Sequence, residues 1–230
     1  VSADESPSPK KTSPAPVRGL VFDLYGTLVT RGAGPRAYRE LIAGLPVWRM
    51  LAARRAMLTE PIPGMGEFHA RFSPRRRADR GVDYYAGLVE SGLAEVALYE
   101  DSLPTLARAR SMGLRLALLS NLAKPYARPI HEFGLAAHFD VLVLSCDVGM
   151  AKPSAGIYAH TCAALGLAAD QLLMIGDTLR DDVRGARRAG LHALHLDREG
   201  GRGDLGALEG LFEHPLLRGL ARVEAGAAPR

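Results

Sequence analysis

Four short stretches of the chain place chemically capable side chains at the ends of apolar runs. In VFDLYGTLV, Asp23 closes a hydrophobic run, and Gly26 and Thr27 behind it permit a tight turn. A carboxylate there is placed to react; taken alone it serves equally as a strand-end residue capping a turn. In LALLSNL, Ser120 and Asn121 end a second run. The Ser120 hydroxyl suits hydrogen bonding to an oxyanion without added charge, and suits a helix N-cap as well. In MAKPSAGIY, Lys152 precedes Pro153, a residue at home in the first helical position. Lys152 is one of four lysines in an arginine-rich chain; a solvated surface lysine is its plainer reading.

The fourth stretch, LLMIGDTLRDDVRGARRAG, runs an apolar segment into Gly176-Asp177, with Asp181 and Asp182 about one turn further on. Three carboxylates this close repel one another unless a cation sits among them. Hard oxygen donors at this spacing suit Mg²⁺, which accepts one or two carboxylates and keeps several waters. The competing reading is an acidic helix start favoured by the helix dipole, but Asp177 falls at the strand end and not on an exposed helical face.

These stretches need a scaffold that brings them together. Apolar runs at 19–24, 114–120, 139–145, 172–176 and 192–196 read as strands, and their near-continuous hydrophobicity suits a parallel sheet covered on both faces. Helical patterns at 102–112, 126–133, 153–165 and 179–189 lie between them, followed by Gly113, Gly134, Gly166 and Gly190 where C-terminal caps need positive φ. Alternating strand and helix predicts a doubly wound α/β sheet, in which reactive groups gather at the carboxyl ends of strands. From 32 to 98 the rhythm breaks. Amphipathic stretches at 36–45, 47–58 and 82–91 occupy a connection too long for a loop, so a small helical module inserted after the first strand is expected. The expected organisation is a tail at 1–16, a core at 17–31 and 99–222, and the helical insert at 32–98.

Bulk properties narrow the function classes. The chain has 230 residues, 47% hydrophobic and 23% charged, which fits one full core plus a modest second module. No apolar run reaches the roughly 20 residues that span a bilayer, so no membrane partner is expected. Two cysteines, Cys146 and Cys162, sit in apolar settings and read as core packing in a reduced cytoplasm. The formal charge of +4 is nearly all arginine. Its one dense cluster, Arg71, Arg75, Arg76, Arg77 and Arg80, is a solvated face or an electropositive rim for phosphorylated substrates. With only Phe72 interleaved, it does not read as a nucleic-acid surface. His69 reads as a surface residue, and Trp48 leaves the oligomeric state open.

In order and spacing, the four stretches resemble the four motifs of the haloacid dehalogenase superfamily, over about residues 18–196. The resemblance implies a Rossmann-like core whose helical insert is a cap. It implies that Asp23 is the nucleophile of a covalent aspartyl intermediate. Ser120 would then hold a substrate oxygen beside Asn121, and Lys152 would neutralise Asp23 and the developing charge. Asp23, Asp177, the main-chain carbonyl of Tyr25 and the more distal acid Asp182 would form the Mg²⁺ site, and the substrate would be a small phosphorylated molecule.

The chain also departs from that pattern. Phosphatases of the superfamily read Asp-x-Asp in the first motif, whereas this chain reads Asp23-Leu24-Tyr25, as in the metal-free 2-haloacid dehalogenases. The fourth motif, with its Gly176-Asp177 pair, matches the metal-binding phosphatases instead. Asp177 facing Asp23 is costly without a cation, so the fourth motif is given the greater weight. The expected activity is therefore a Mg²⁺-dependent phosphohydrolase, with Tyr25 approaching the site. A halide-releasing hydrolase and a catalytically weak binding protein on the same fold are the alternatives.

Overall fold

The computed structural model describes residues 16–32, 34, 36–73 and 79–217. The expected tail therefore lies outside the described residues except for Pro16, as do Arg75, Arg76 and Arg77 and the end of the core beyond 217. Strand β1 (Gly19–Phe22) is followed by helices α1 (Arg36–Ala43), α2 (Val47–Thr59), α3 (Met65–Phe72), α4 (Val82–Ala94) and α5 (Ser102–Ser111). Then come β2 (Arg115–Ser120), α6 (Arg128–Glu132), β3 (Val141–Leu144), the single turn α7 (Ser145–Val148), α8 (Ala155–Leu165), β4 (Leu172–Gly176), α9 (Ala186–Arg188) and β5 (His192–His195). Five further stretches are irregularly wound: 3₁₀ turns at Lys124–Ala127, Leu135–His138, Ala169–Gln171 and Leu208–Glu213, and a π-helical segment at Leu179–Gly185.

The five strands form one parallel sheet in the order β3-β2-β1-β4-β5. β1 is central, pairing with β2 from Gly19 opposite Arg115 and with β4 from Gly19 opposite Leu172. Side chains alternate between the faces of a strand, and the two hydrophobic clusters follow that alternation. Leu20, Phe22, Leu116, Leu118, Leu173 and Ile175 belong to one cluster, and Val21, Ala117, Leu119, Leu172 and Met174 to the other. The continuous apolar runs are thus explained by burial on both faces.

After β1 the chain turns sharply and leaves the sheet. It departs and returns at one place: the Thr30 amide donates to the Ala97 carbonyl at 2.8 Å, and the Tyr99 amide to the Leu28 carbonyl at 3.1 Å. The helices between pack their buried faces (Tyr38, Leu41, Phe68, Tyr85, Val89) into the same cluster that covers one side of the sheet. The glycines at 113, 134, 166 and 190 all adopt positive φ, as expected after helices.

Several expectations change on contact with the structure. Helix α3 occupies a stretch that carried no helical expectation, and the 126–133 and 179–189 patterns are each divided between irregular and α-helical winding. His69 is half-buried and held by Asp79 through its Nε2 at 2.9 Å, so it is not a free surface residue. Trp48 is 71% exposed, beside exposed Val47 and Leu51 on α2, and does not pack among its neighbouring helices. Both cysteines are free, Cys146 buried and Cys162 half-buried. Among the described residues, no helix is long and apolar enough to cross a membrane.

Candidate active site

The carboxyl ends of β1, β2 and β4 lie side by side, and each delivers residues from one of the four motifs. A cavity of about 470 Å³ opens over them, lined among others by Asp23, Tyr25, Ser120, Asn121, Lys152, Asp177 and Asp182. All seven expected site residues therefore line one cavity.

At its floor, Lys152 is 5% exposed and Asp182 is 1% exposed. The Lys152 ammonium donates to Asp23 Oδ1 at 2.6 Å, to Asp182 Oδ1 at 2.6 Å and to the Leu119 carbonyl at 2.8 Å. All three protons are thereby used, which is what a buried ammonium requires. Burial alone would push Lys152 down, but the charges of Asp182 and Asp23 reverse this and hold it above the ordinary lysine value. Burial pushes Asp23 up to about 7 against the opposing Lys152 charge, and Asp182 and Asp177 add to the rise. The other oxygen of Asp182 accepts the Thr178 amide at 2.9 Å, so both of its oxygens are occupied.

Lys152 is itself fixed by Asn121. The Asn121 amide donates to the Lys152 carbonyl at 2.8 Å and accepts the Lys152 backbone N–H at 2.8 Å. This reciprocal pair resembles a rung of sheet and leaves Asn121 a positioning role. Ser120, 2% exposed, faces the cavity beside it.

Asp177 converges on the same space. Its Oδ1 accepts the Thr178 hydroxyl at 3.1 Å, and its Oδ2 accepts Arg31 Nε at 2.9 Å and a second, shorter bond from Arg31 Nη2. The close approach depends on two glycines. A Cβ at Gly26, whose φ is +81°, would collide with the Asp177 carboxylate, and one at Gly176 with the Asp182 carboxylate. Asp23, Asp177 and Asp182 can each offer an oxygen within 4.8 Å of the others, an arrangement that can bind a metal ion. Three carboxylates and no softer donor fit a hard divalent cation.

Tyr25 reaches the cavity from the turn after β1, which ends at Phe22. Its phenol lines the cavity but donates to the Tyr126 carbonyl at 2.9 Å. Burial, the neighbouring Tyr126 and the Asp23 charge hold that phenol above the ordinary tyrosine value. Sequence reasoning did not single out Arg31, Thr178 or Arg39, which also line the cavity. Arg31 follows the first motif closely, but no spacing rule marks an arginine in a segment without regular structure.

Comparison with known proteins agrees with this geometry. Residues 17–190 match the haloacid dehalogenase-like hydrolase family. The chain is 34% identical over 197 residues to a glyceraldehyde 3-phosphate phosphatase of Methanopyrus kandleri, covering 79% of this chain and 84% of that one. It is 40% identical over 102 residues to a phosphoserine phosphatase of Thermus thermophilus, there spanning 44% of this chain and only 41% of the relative. A solved haloacid dehalogenase-type phosphatase from Thermococcus onnurineus shares the fold, with a TM-score of 0.61 at 24% identity over 86% of this chain and 97% of that one. The chain belongs to the haloacid dehalogenase-like hydrolase family. It is a hydrolase whose curated relatives include phosphatases acting on small phosphorylated compounds.

Proposed function

We propose that this protein is a cytoplasmic, Mg²⁺-dependent phosphohydrolase that cleaves a small phosphorylated metabolite through an aspartyl-phosphate at Asp23. The observation that carries the reading is Asp177, a second carboxylate converging on Asp23 in a cavity where Lys152 is already shared between Asp23 and Asp182. In a metal-free dehalogenase, Asp177, even paired with Arg31, would add to the charge that opposes ionisation of the nucleophile. With Mg²⁺ between them, both carboxylates have a role. Asp23, Asp177 and the Tyr25 main-chain carbonyl would hold the cation, with Asp182 behind them. Bound there, Mg²⁺ would neutralise phosphoryl charge and draw Asp23 back toward its ionised form.

The protein groups then divide the work. Lys152 holds Asp23 Oδ1, leaving Oδ2 to attack phosphorus. A new P–Oδ2 bond forms as the ester P–O bond breaks, and its electron pair leaves on the departing oxygen. Ser120 donates to a phosphoryl oxygen, and Lys152 balances the growing charge. Water then attacks the aspartyl-phosphate, breaking the P–Oδ2 bond, releasing inorganic phosphate and regenerating the carboxylate. No carboxyl stands at position 25 to protonate the leaving group or activate this water, and the Tyr25 proton is committed to Tyr126. That feature supports the second reading, a slow enzyme or a phosphate-binding protein. Residues 32–98, lying between the paired segments at 28–30 and 97–99, would act as the cap that selects substrate.

A panel of phosphorylated metabolites assayed with Mg²⁺ and with EDTA tests the proposal. Phosphate release that EDTA abolishes, together with a higher melting temperature in Mg²⁺, is expected. Chloride release from 2-chloropropionate that EDTA leaves intact would overturn it.

A further inference from the structure

The carboxylate that most distinguishes this site is already holding a cation of the protein's own. Asp177 Oδ2 accepts two N–H groups from one guanidinium, at Arg31 Nε and Nη2. Two donors use both lone pairs of a carboxylate oxygen, and Oδ1 is engaged by the Thr178 hydroxyl. An incoming metal ion therefore finds no free lone pair on Oδ2 until Arg31 withdraws, and on Oδ1 only the one that Thr178 leaves, beside the positive guanidinium. The packing is tight as well: a Cβ at Gly26 would lie 2.8 Å from Arg31 Nε and would strike the Asp177 carboxylate. Guanidinium, carboxylate and the turn after the nucleophile occupy one small space.

Arg31 is also placed to withdraw. Its side chain is 64% exposed, against 10% for Asp177. It precedes Gly32 and Gly34, with φ of +50° and +61°, in the segment between the first motif and α1. Arg31 lines the same cavity as Asp23 and Ser120, and exposed Arg39 on α1 lines it too. Arg39 has no ion-pair partner among the described residues. A guanidinium released from Asp177 thus stays within the substrate space, where its fork suits two phosphoryl oxygens.

We propose that Arg31 is an internal counter-cation of the metal site: it competes with the divalent ion for Asp177 and, once displaced, binds the substrate's phosphoryl group. This inference rests on the metal assignment made above and deepens it by fixing an order of events, with metal first and anion second. The exchange is one of hydrogen bonds and charge, with no covalent step.

The competition has a signature opposite to that of an ordinary supporting residue. Removing a supporting residue weakens metal binding; removing a competitor tightens it. Wild type, Arg31→Gln and Arg31→Lys are titrated with Mg²⁺ alone, following the melting temperature and the heat of binding, and then with inorganic phosphate at saturating Mg²⁺. An exposed pair of this kind is worth at most a few-fold, so Arg31→Gln should bind Mg²⁺ about three- to fivefold more tightly than wild type. Arg31→Lys, which keeps the charge but loses the fork, should fall between them. Phosphate should bind Arg31→Gln several-fold more weakly than wild type. Unchanged or weaker Mg²⁺ binding by a folded Arg31→Gln protein overturns the competition. Tighter Mg²⁺ with unchanged phosphate affinity overturns the transfer to substrate. Mg²⁺ binding to neither protein would remove the metal assignment itself, whereas equal binding to both would remove only this inference.

Discussion

Replacing Lys152 by Met keeps most of the aliphatic stem and deletes one buried charge. Two carboxylates then face each other where one ammonium had donated to both at 2.6 Å. The structure bounds the cost in two ways. Removing one partner from a buried ion pair typically costs about 3–5 kcal/mol. The site can also take up one further proton in place of the lost ammonium, and holding it at pH 7 on a carboxyl with an ordinary value of about 3.9 costs about 4 kcal/mol, at 1.36 kcal/mol per pH unit. The two routes agree. For a chain of this size about 4 kcal/mol corresponds to a fall in melting temperature of roughly 8–16 °C. The second route also fixes the pH dependence. A carboxyl whose folded value is raised binds its proton more tightly when folded, so its contribution is complete below about pH 4 and is lost as pH rises. Wild type already carries one such group in Asp23, held at about 7, and its own stability should decline between about pH 4 and 7. The variant should decline by one further proton's slope, so its deficit should shrink from about 4 kcal/mol at pH 7 to about 1.5 kcal/mol at pH 5. Urea unfolding followed by circular dichroism in EDTA, at both pH values, measures it. A deficit of equal size at pH 5 and pH 7 would mean that packing of the stem, and not the unpaired charge, carries the cost.

Two other substitutions probe the chemistry. Asp23→Asn is nearly isosteric and should keep the fold while removing turnover, because an amide is no comparable nucleophile; undiminished phosphate release by purified variant protein would place the nucleophile elsewhere. Tyr25→Asp should raise kcat/KM for an alkyl phosphate more than for p-nitrophenyl phosphate, since a positioned acid is worth roughly 10²–10⁴-fold and matters least for a leaving group already stable as an anion. Equal sensitivity to leaving group in both folded proteins would show that position 25 does not stand where the acid must be.

The sheet was legible because its signal is redundant. Burial on both faces makes each strand a short apolar block, and all five blocks contain a strand of the structure, β4 coinciding with its block at Leu172–Gly176. The motif residues were legible for a related reason: a parallel sheet brings its carboxyl strand ends together. What escaped were features set by tertiary packing. Helix α3 buries Met65, Phe68 and Phe72 at helical spacing, but the glycines and prolines just before it resemble a loop. The π-helical winding at Leu179–Gly185 has no local signature in a stretch that otherwise reads as a helix. The Arg31–Asp177 bond joins residues 146 positions apart, and nothing in the neighbourhood of either residue announces the other.

The central place of β1 has a consequence for how the molecule is made. β1 leaves the ribosome well before either of its two neighbours, β2 from Arg115 and β4 from Leu172. From Gly19 to Leu172 is 153 residues, a wait of about 8–30 s at the 5–20 residues per second typical of synthesis. Throughout that interval the segment GLVF is an apolar strand with at least one hydrogen-bonding edge unfilled, the kind of surface that recruits other chains. Asp23 must likewise wait for its counter-charge, since it and Lys152 are 129 residues apart. Nascent chains halted at successive lengths should therefore show proteolytic protection of β1 only once β4 has emerged; protection at lengths short of Leu172 would mean that β1 and β2 form a stable sheet without it.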